Sequence, residues 1–330
     1  MTEIEERAKS FKDTARDIAR RIFRNENAVL AGILVVLIAI FTVLTKGHIV
    51  TRKNMLGVLV QSSVRGIAAM GQTFVILTGG IDLSVGSVAL LGMALAATFM
   101  EGKVGPLPTA LGIAIMLVVG MAIGSTTGLA VSRIKMPALI TTFALWIGLA
   151  GVALRVTGGY IITNIPSQIA FLGQGYIAGF PVIGIAFIVI AAITYFVLNH
   201  TTFGRSVYAT GGNRVSAWLS GIKVNNIIVL VFAISGLCAG IAAWAAMSRI
   251  ACFTMAAVQG LEIDAISITV IGGISLMGGR GSVIGVVIGT FILGVITNGM
   301  NILGVAPAYH TIAKGAIIYA AVAIDYIRRR

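Results

Sequence analysis

Apolar residues occupy the chain in ten long blocks, at about 28–44, 55–77, 84–100, 107–131, 137–156, 182–198, 227–247, 263–277, 283–303 and 311–327, with short polar stretches between them. Each block is longer than a buried strand, so the pattern predicts helices. About 20 such residues are needed to cross roughly 30 Å of hydrocarbon. The blocks therefore predict an all-α polytopic membrane protein with about ten transmembrane helices. The third and eighth blocks are short and rich in glycine, and are expected to be broken or re-entrant, which is tolerated where protein or a water-filled cavity covers the backbone. Residues 1–27 differ in kind. Six acids and seven bases there surround Ile4, Phe11, Ile18 and Ile22 at near-helical spacing, the pattern of an amphipathic helix on a membrane surface. Its mixed charge, with no small-residue cleavage site after the first apolar block, argues against a cleavable signal.

Composition supports the membrane assignment. Mean hydropathy is +1.00, and charged residues make up 11% of the chain, where a soluble domain holds about 25%. The net charge of +13 does not point to nucleic acid, because the bases sit in short segments between apolar blocks and form no basic groove with interleaved aromatics. They report topology instead. With the N-terminus inside, the inner segments hold 16 Lys and Arg and the outer segments five, so both termini are expected in the cytoplasm. The division is then a cytoplasmic segment, 1–27, and a transmembrane domain, 28–330, whose largest internal cytoplasmic loop is 199–226.

Chemistry-bearing residues are sparse. Beyond the N-terminal segment the acids are Asp82, Glu101, Glu262, Asp264 and Asp325, all near predicted span ends, and the three histidines also flank spans. No phosphate-binding loop, nucleophile elbow or zinc motif occurs, so no catalytic residue, metal or cofactor is expected. Cys238 and Cys252 match no redox or metal spacing and are expected to be buried. Within the spans, Arg65 is the one well-centred charge, with Gln61 four residues before it, Gln72 seven after it and Ser62 bordering that face. A charge at such depth costs about 3 kcal/mol or more unless solvated or paired. Arg65 therefore lines a hydrated path for a polar solute or bonds backbone carbonyls between helices. Asn298 and Asn301 pose the same choice, with interhelical hydrogen bonds preferred. Glycines at four-residue spacing, Gly120, Gly124 and Gly128, Gly236 and Gly240, and Gly281, Gly285 and Gly289, are expected to bring helices of one chain close together.

Several stretches resemble one family. GGIDLSVGS (79–87), RIKMPALITT (133–142), TGGYI (157–161), GRSVYATGGN (204–213), SGI (220–222) and the long run from Leu261 to Val305 are similar, in order and at family-like spacing over about 54–325, to the ribose-type sugar permeases of bacterial binding-protein-dependent ABC importers. Departures are Arg65, in place of a small or apolar residue, Val215, Ser216 and Trp218 in the cytoplasmic loop, and the sequence around Leu149 to Gly151. The resemblance implies a permease of the bacterial inner membrane that contacts lipid and pairs with a second permease subunit. An extracytoplasmic sugar-binding protein would deliver the solute, and a separate cytoplasmic ATPase would drive transport. A secondary carrier or facilitator for a neutral solute is the alternative, and a structural scaffold a third reading.

The resemblance also places a coupling helix in the loop 199–226. Gly211 and Gly212 are expected to permit a sharp entry, Asn213 to cap, Arg214 to Ser220 to form about two turns, and Gly221 to end them. Val215, Trp218 and Leu219 then share one apolar face, which either docks in a groove of the ATPase or packs on the inner ends of the spans; Ala217 is assigned to the same coupling surface. In the family motif, Gly79 and Gly80 break a span, and Asp82 is expected to cap a helix beginning near Leu83, with direct sugar contact as the alternative; Ser84 and Gly86 complete the motif. The uncharged outer loop 157–181 is expected to fold back as a gate. Glu262 and Asp264 are placed near the binding-protein docking surface, the alternative being favourable placement at a helix N-terminus.

Overall fold

The computed structural model describes residues 26–327. Among them are 13 helices and a single two-stranded hairpin. The N-terminal amphipathic segment, apart from Glu26 and Asn27, and the terminal arginines 328–330 lie outside the described residues. In chain order the long helices are α1 (Glu26–Leu44), α2 (Arg52–Leu77), α3 (Val85–Met100), α4 (Pro106–Ser132) and α5 (Ala138–Thr157). A four-residue turn, α6 (Phe171–Gln174), and the hairpin β1 (Tyr176–Ile177) and β2 (Phe180–Pro181) precede α7 (Val182–His200). Two short helices, α8 (Thr202–Gly212) and α9 (Arg214–Leu219), lead to α10 (Val224–Ile250), α11 (Leu261–Ile271), α12 (Val283–Ile302) and α13 (Pro307–Ile327).

Every one of the ten apolar blocks holds a helix. Six, namely α1, α4, α5, α7, α10 and α12, are long and apolar enough to cross a membrane. The 26-residue α2 and 21-residue α13 have the length, but each carries a basic residue within it, Arg65 and Lys314. The 16-residue α3 is shorter because the crossing begins in non-helical chain, 78–84. The eighth block is broken as expected, and its helix stops short of the block's end: it has 11 residues and ends at Ile271, followed by a glycine-rich loop, 272–282. At about 1.5 Å per residue α11 covers roughly half of a 30 Å core.

The bundle is built around α2 and α10. From Ser62 to Leu77 all of α2 except Arg65 is buried, which is why it shows no polar stripe. The expected glycine seam joins α4 to α10. A Cβ on Gly124 would overlap the Phe232 carbonyl, and Gly120 and Gly236 each lie against the other's carbonyl oxygen. Only glycine permits that backbone approach. The third series does the same within the chain, Gly285 against the Gly272 carbonyl and Gly289 against that of Ile268. Peripheral helices keep apolar faces outward: Val35 and Val43 on α1 are 66% and 78% exposed, and Val118 on α4 is 59% exposed. Outward apolar faces of that extent are stable in hydrocarbon, not in water.

Candidate functional site

The helix ends define two poles, one marked by Leu77 and the other by Thr51. At the Leu77 pole three glycine-rich segments meet. The Gly279 amide donates to the Leu77 carbonyl at 2.8 Å, a Cβ on Gly278 would stand 2.7 Å from the Gly79 nitrogen, and one on Gly211 would overlap the Leu77 carbonyl. Gly79 and Gly278 have φ of +75° and +84°, in the left-handed region where glycine carries no Cβ penalty. Tyr208 donates its hydroxyl to the Gly281 carbonyl at 3.1 Å, and Arg214 donates to the Thr78 carbonyl at 3.2 Å. Burial raises the Tyr208 phenol above its ordinary value, keeping it a donor. Helices α8 and α9 are thereby tied to the segments that follow α2 and α11.

The α8–α9 junction corrects part of the sequence reading. Gly211 and Gly212 are the last residues of α8 and form no sharp turn; the glycine at 211 is required by the close approach to Leu77. Asn213 does cap α9, accepting from the Ser216 amide at 2.9 Å. Gly221, at φ +82°, ends the helix, with the Ile222 amide donating to the Ala217 carbonyl and that of Gly221 to Trp218, the Schellman arrangement. Ala217 is 4% exposed and faces the bundle, whereas Val215, Trp218 and Leu219 are 66%, 67% and 72% exposed. The apolar face therefore does not pack on the inner ends of the spans, and Ala217 is not part of it.

Asp82 is 3% exposed. Its carboxylate accepts from the Ser84 amide at 2.9 Å, the Ser84 hydroxyl at 2.6 Å and, on the other oxygen, the Ser235 hydroxyl of α10 at 2.9 Å. The helix that follows begins at Val85 with Ser84 as its first flanking residue, not near Leu83, so Asp82 closes an Asx turn instead of an N-cap. With its amide in the orientation that satisfies both groups, Gln72 donates to the Asp82 carbonyl and accepts from its amide. Gln72 thus clamps the 78–84 segment and does not face a path with Arg65.

A second copy of this turn follows α11. GGISL at 272–276 repeats GGIDL at 79–83, and Ser275 Oγ accepts from the Met277 amide at 3.3 Å, as Asp82 does from Ser84. That repeated pentapeptide is the sequence signal for the convergence at the Leu77 pole, which the motif reading alone missed.

Arg65 lies halfway along α2. Its Nε contacts Asp264 Oδ2 at 2.8 Å, while Lys314 of α13 contacts Oδ1 at 2.6 Å. It therefore bonds a carboxylate, not backbone carbonyls. Glu262 and Asp264 are 5% and 4% exposed, in the first turn of α11, where acids complement the helix dipole. Both acids thus stand at a helix N-terminus, the alternative placement, and Asp264 at the same time reaches the middle of α2 through Arg65. Gly86, near the start of α3, lies against the Glu262 carboxylate, so the N-termini of these two short helices meet. Gln61 is half-buried one turn from Arg65, while Asn298 pairs reciprocally with Asn54, at 2.8 and 3.1 Å, as the interhelical reading expects. Asn301 is exposed near the end of α12.

At the Thr51 pole the segment 157–181 folds back onto the bundle. Gly173 donates to Ser248 Oγ at 2.6 Å, Gln174 to the Arg249 carbonyl at 3.1 Å, and Ile162 and Phe253 exchange backbone bonds.

A bundle of helices with outward apolar faces, six of them long and apolar enough to cross a membrane, defines a multi-pass membrane protein. Residues 54–322 match the model of the branched-chain amino acid transport system / permease component family, and the chain belongs to that family. It is 39% identical to the ribose import permease protein of Haemophilus influenzae over 296 residues, 88% of this chain and 90% of that one. It is also 39% identical to the ribose import permease protein of Escherichia coli K12 over 300 residues, 88% and 91% of the two chains. The D-allose transport system permease protein of the same organism is 36% identical over 293 residues, 89% of each. No solved structure matches the chain.

Proposed function

We propose that this chain is the membrane-spanning subunit of an ATP-driven importer for a sugar or polyol in the bacterial inner membrane. The Leu77 pole faces the cytoplasm and the Thr51 pole faces outward. A cytoplasmic ATPase docks on α9, an extracytoplasmic binding protein delivers solute beneath the 157–181 segment, and a second permease subunit completes the path. The observation that carries this reading is the capped α9 with Val215, Trp218 and Leu219 outward. Three large apolar side chains at 66–72% exposure on a polar loop suit an anchor for a partner's pocket, since aromatic anchors dominate interface energy. The bonds of Tyr208 and Arg214 would pass movement of that partner to both glycine turns. The names of the relatives support the sugar class and the import direction.

Trp218→Ala should insert and fold with stability within about 0.5 kcal/mol of the parent, as for an exposed site. It should lose ATPase co-purification and at least about tenfold of sugar uptake, a loss equivalent to 1.4 kcal/mol or more. Normal ATPase binding and uptake in Trp218→Ala and Leu219→Ala would refute the docking assignment.

The carrier reading gains one observation, because Asp264 of α11 is a buried carboxylate that reaches Arg65 at the middle of α2, the kind of group an ion-coupled carrier uses. Both its oxygens are held by cations, which favours a fixed charge over a group that loads and releases an ion.

A further inference from the structure

The two glycine turns at the Leu77 pole differ in one respect. Each pentapeptide, GGIDL at 79–83 and GGISL at 272–276, is followed by the tripeptide GSV, after two residues in the first copy, Ser84 and Val85, and after four in the second, Met277 to Arg280. Ser84 and Val85 are 2% and 1% exposed. Met277 is 64% exposed, and Arg280 is exposed, with no ion pair or side-chain hydrogen bond among the described residues. The longer copy therefore carries a large apolar side chain and a base out of the bundle.

Backbone bonds fix this protrusion. The Ser275 amide donates to the Arg280 carbonyl at 3.1 Å, the Gly278 amide to the Ser275 carbonyl at 2.9 Å, and the Gly279 amide to that of Leu77. The loop also adjoins the start of α9. A Cβ on Gly279 would stand 2.7 Å from Gly212 Cα, one residue before the cap Asn213, and one on Gly79 would stand 3.3 Å from the Met277 carbonyl oxygen, next to the Thr78 carbonyl that Arg214 holds. Residues 67–77 of α2, beneath the loop, are all buried. Met277 thus stands over the middle of the bundle, where it meets water and not hydrocarbon.

The loops 201–223 and 272–282 carry Arg205, Arg214, Lys223 and Arg280 and no acid. Bases alone would follow from orientation in the membrane; an exposed methionine among them does not. Methionine and arginine are enriched at protein interfaces, where a flexible thioether fills irregular gaps and a guanidinium pairs with a carboxylate through parallel donors.

We propose that 277–280 is a second contact for the cytoplasmic ATPase, beside α9: Met277 enters an apolar cleft of that partner and Arg280 pairs with an acidic residue at its rim. The inference rests on the importer reading and extends its docking surface. Helix α9 reaches the first glycine turn through Arg214, and this loop belongs to the second, so one partner grips both turns.

The test is titration of the purified full chain in nanodiscs with the ATPase subunit, together with photo-cross-linking from a benzophenone amino acid in place of Met277. The cross-link should go to the ATPase. Met277→Ala should weaken ATPase binding at least about fivefold and Arg280→Glu at least about tenfold, while Met277→Leu should retain most of it. A cross-link to residues 1–25 or to a second permease copy in place of the ATPase would overturn the proposal, as would unchanged binding in folded Met277→Ala and Arg280→Glu chains. If Trp218→Ala abolishes binding while those two leave it unchanged, the loop contact fails and the importer reading stands; if Trp218→Ala also binds normally, the α9 docking assignment fails with it.

Discussion

Asp82 and Asp264 are the same residue type with nearly the same exposure, 3% and 4%, and they are held in opposite ways. Asp82 is surrounded by neutral donors, an amide and two hydroxyls, and spans only from its own turn to α10. Asp264 is surrounded by charge and joins α2, α11 and α13 through two ion pairs. The first arrangement fixes a backbone turn at a break in the helix. The second binds together helices that would otherwise be linked only by apolar packing, which gives little preference between protein and lipid inside a membrane. A buried carboxylate is therefore not one kind of evidence; its donors decide whether it shapes local chain or organises the bundle.

The contrast is broken most severely at Asp264. Asp264→Ala leaves Arg65 and Lys314 without their counter-ion and should destabilise the chain by about 3–5 kcal/mol, the loss typical of removing one partner of a buried pair. Unfolding in mixed detergent micelles would measure it, and a loss below that of Asp82→Ala would contradict the comparison. Asp82→Ala strands the Ser84 and Ser235 donors and should cost about 1–3 kcal/mol. Asp82→Asn keeps an acceptor for the Ser84 amide and should recover most of that loss, because the turn needs an oxygen more than a charge; an equal loss in both variants would show that the charge matters. Smallest is Tyr208→Phe, worth about 0.5–1.5 kcal/mol for one neutral hydrogen bond. The raised Tyr208 value gives that bond a pH signature. Its contribution is fully present below the ordinary tyrosine value of 10.0 and is lost as pH rises through the higher folded value. Alkaline unfolding of the parent and Tyr208→Phe should therefore converge only above that ordinary value.

Much of the fold is legible in the order of residues. Ten apolar blocks place ten helices, all but the eighth within a few residues at both ends, because the membrane leaves the backbone little alternative to internal hydrogen bonding. Asn213 and Gly221 frame α9 through local chemistry, readable at a distance of a few residues. Gly211 is different: its glycine answers to Leu77 and Gly279, remote in sequence, so a turn was the natural local reading and close approach the correct one. The same holds for the charged centre. Arg65, Asp264 and Lys314 stand on three separate helices, and nothing in the spacing of any one of them indicates the others. Asp264 also looked like a span-end residue because α11 was expected to extend to residue 277. Once the helix is cut at Ile271, its first turn lies against the middle of α2 and the carboxylate is deep.

The central claim is that ATP hydrolysis drives uptake through this chain and that Asp264 is a fixed charge. Its most direct test is uptake of labelled D-ribose, delivered by the binding protein, into proteoliposomes containing the permease with or without the ATPase. With proton and sodium gradients imposed in turn, the account predicts uptake only when the ATPase and ATP are both present, independent of either gradient. Gradient-driven accumulation in vesicles lacking the ATPase, abolished by Asp264→Asn, would contradict it and make Asp264 the coupling site of a secondary carrier.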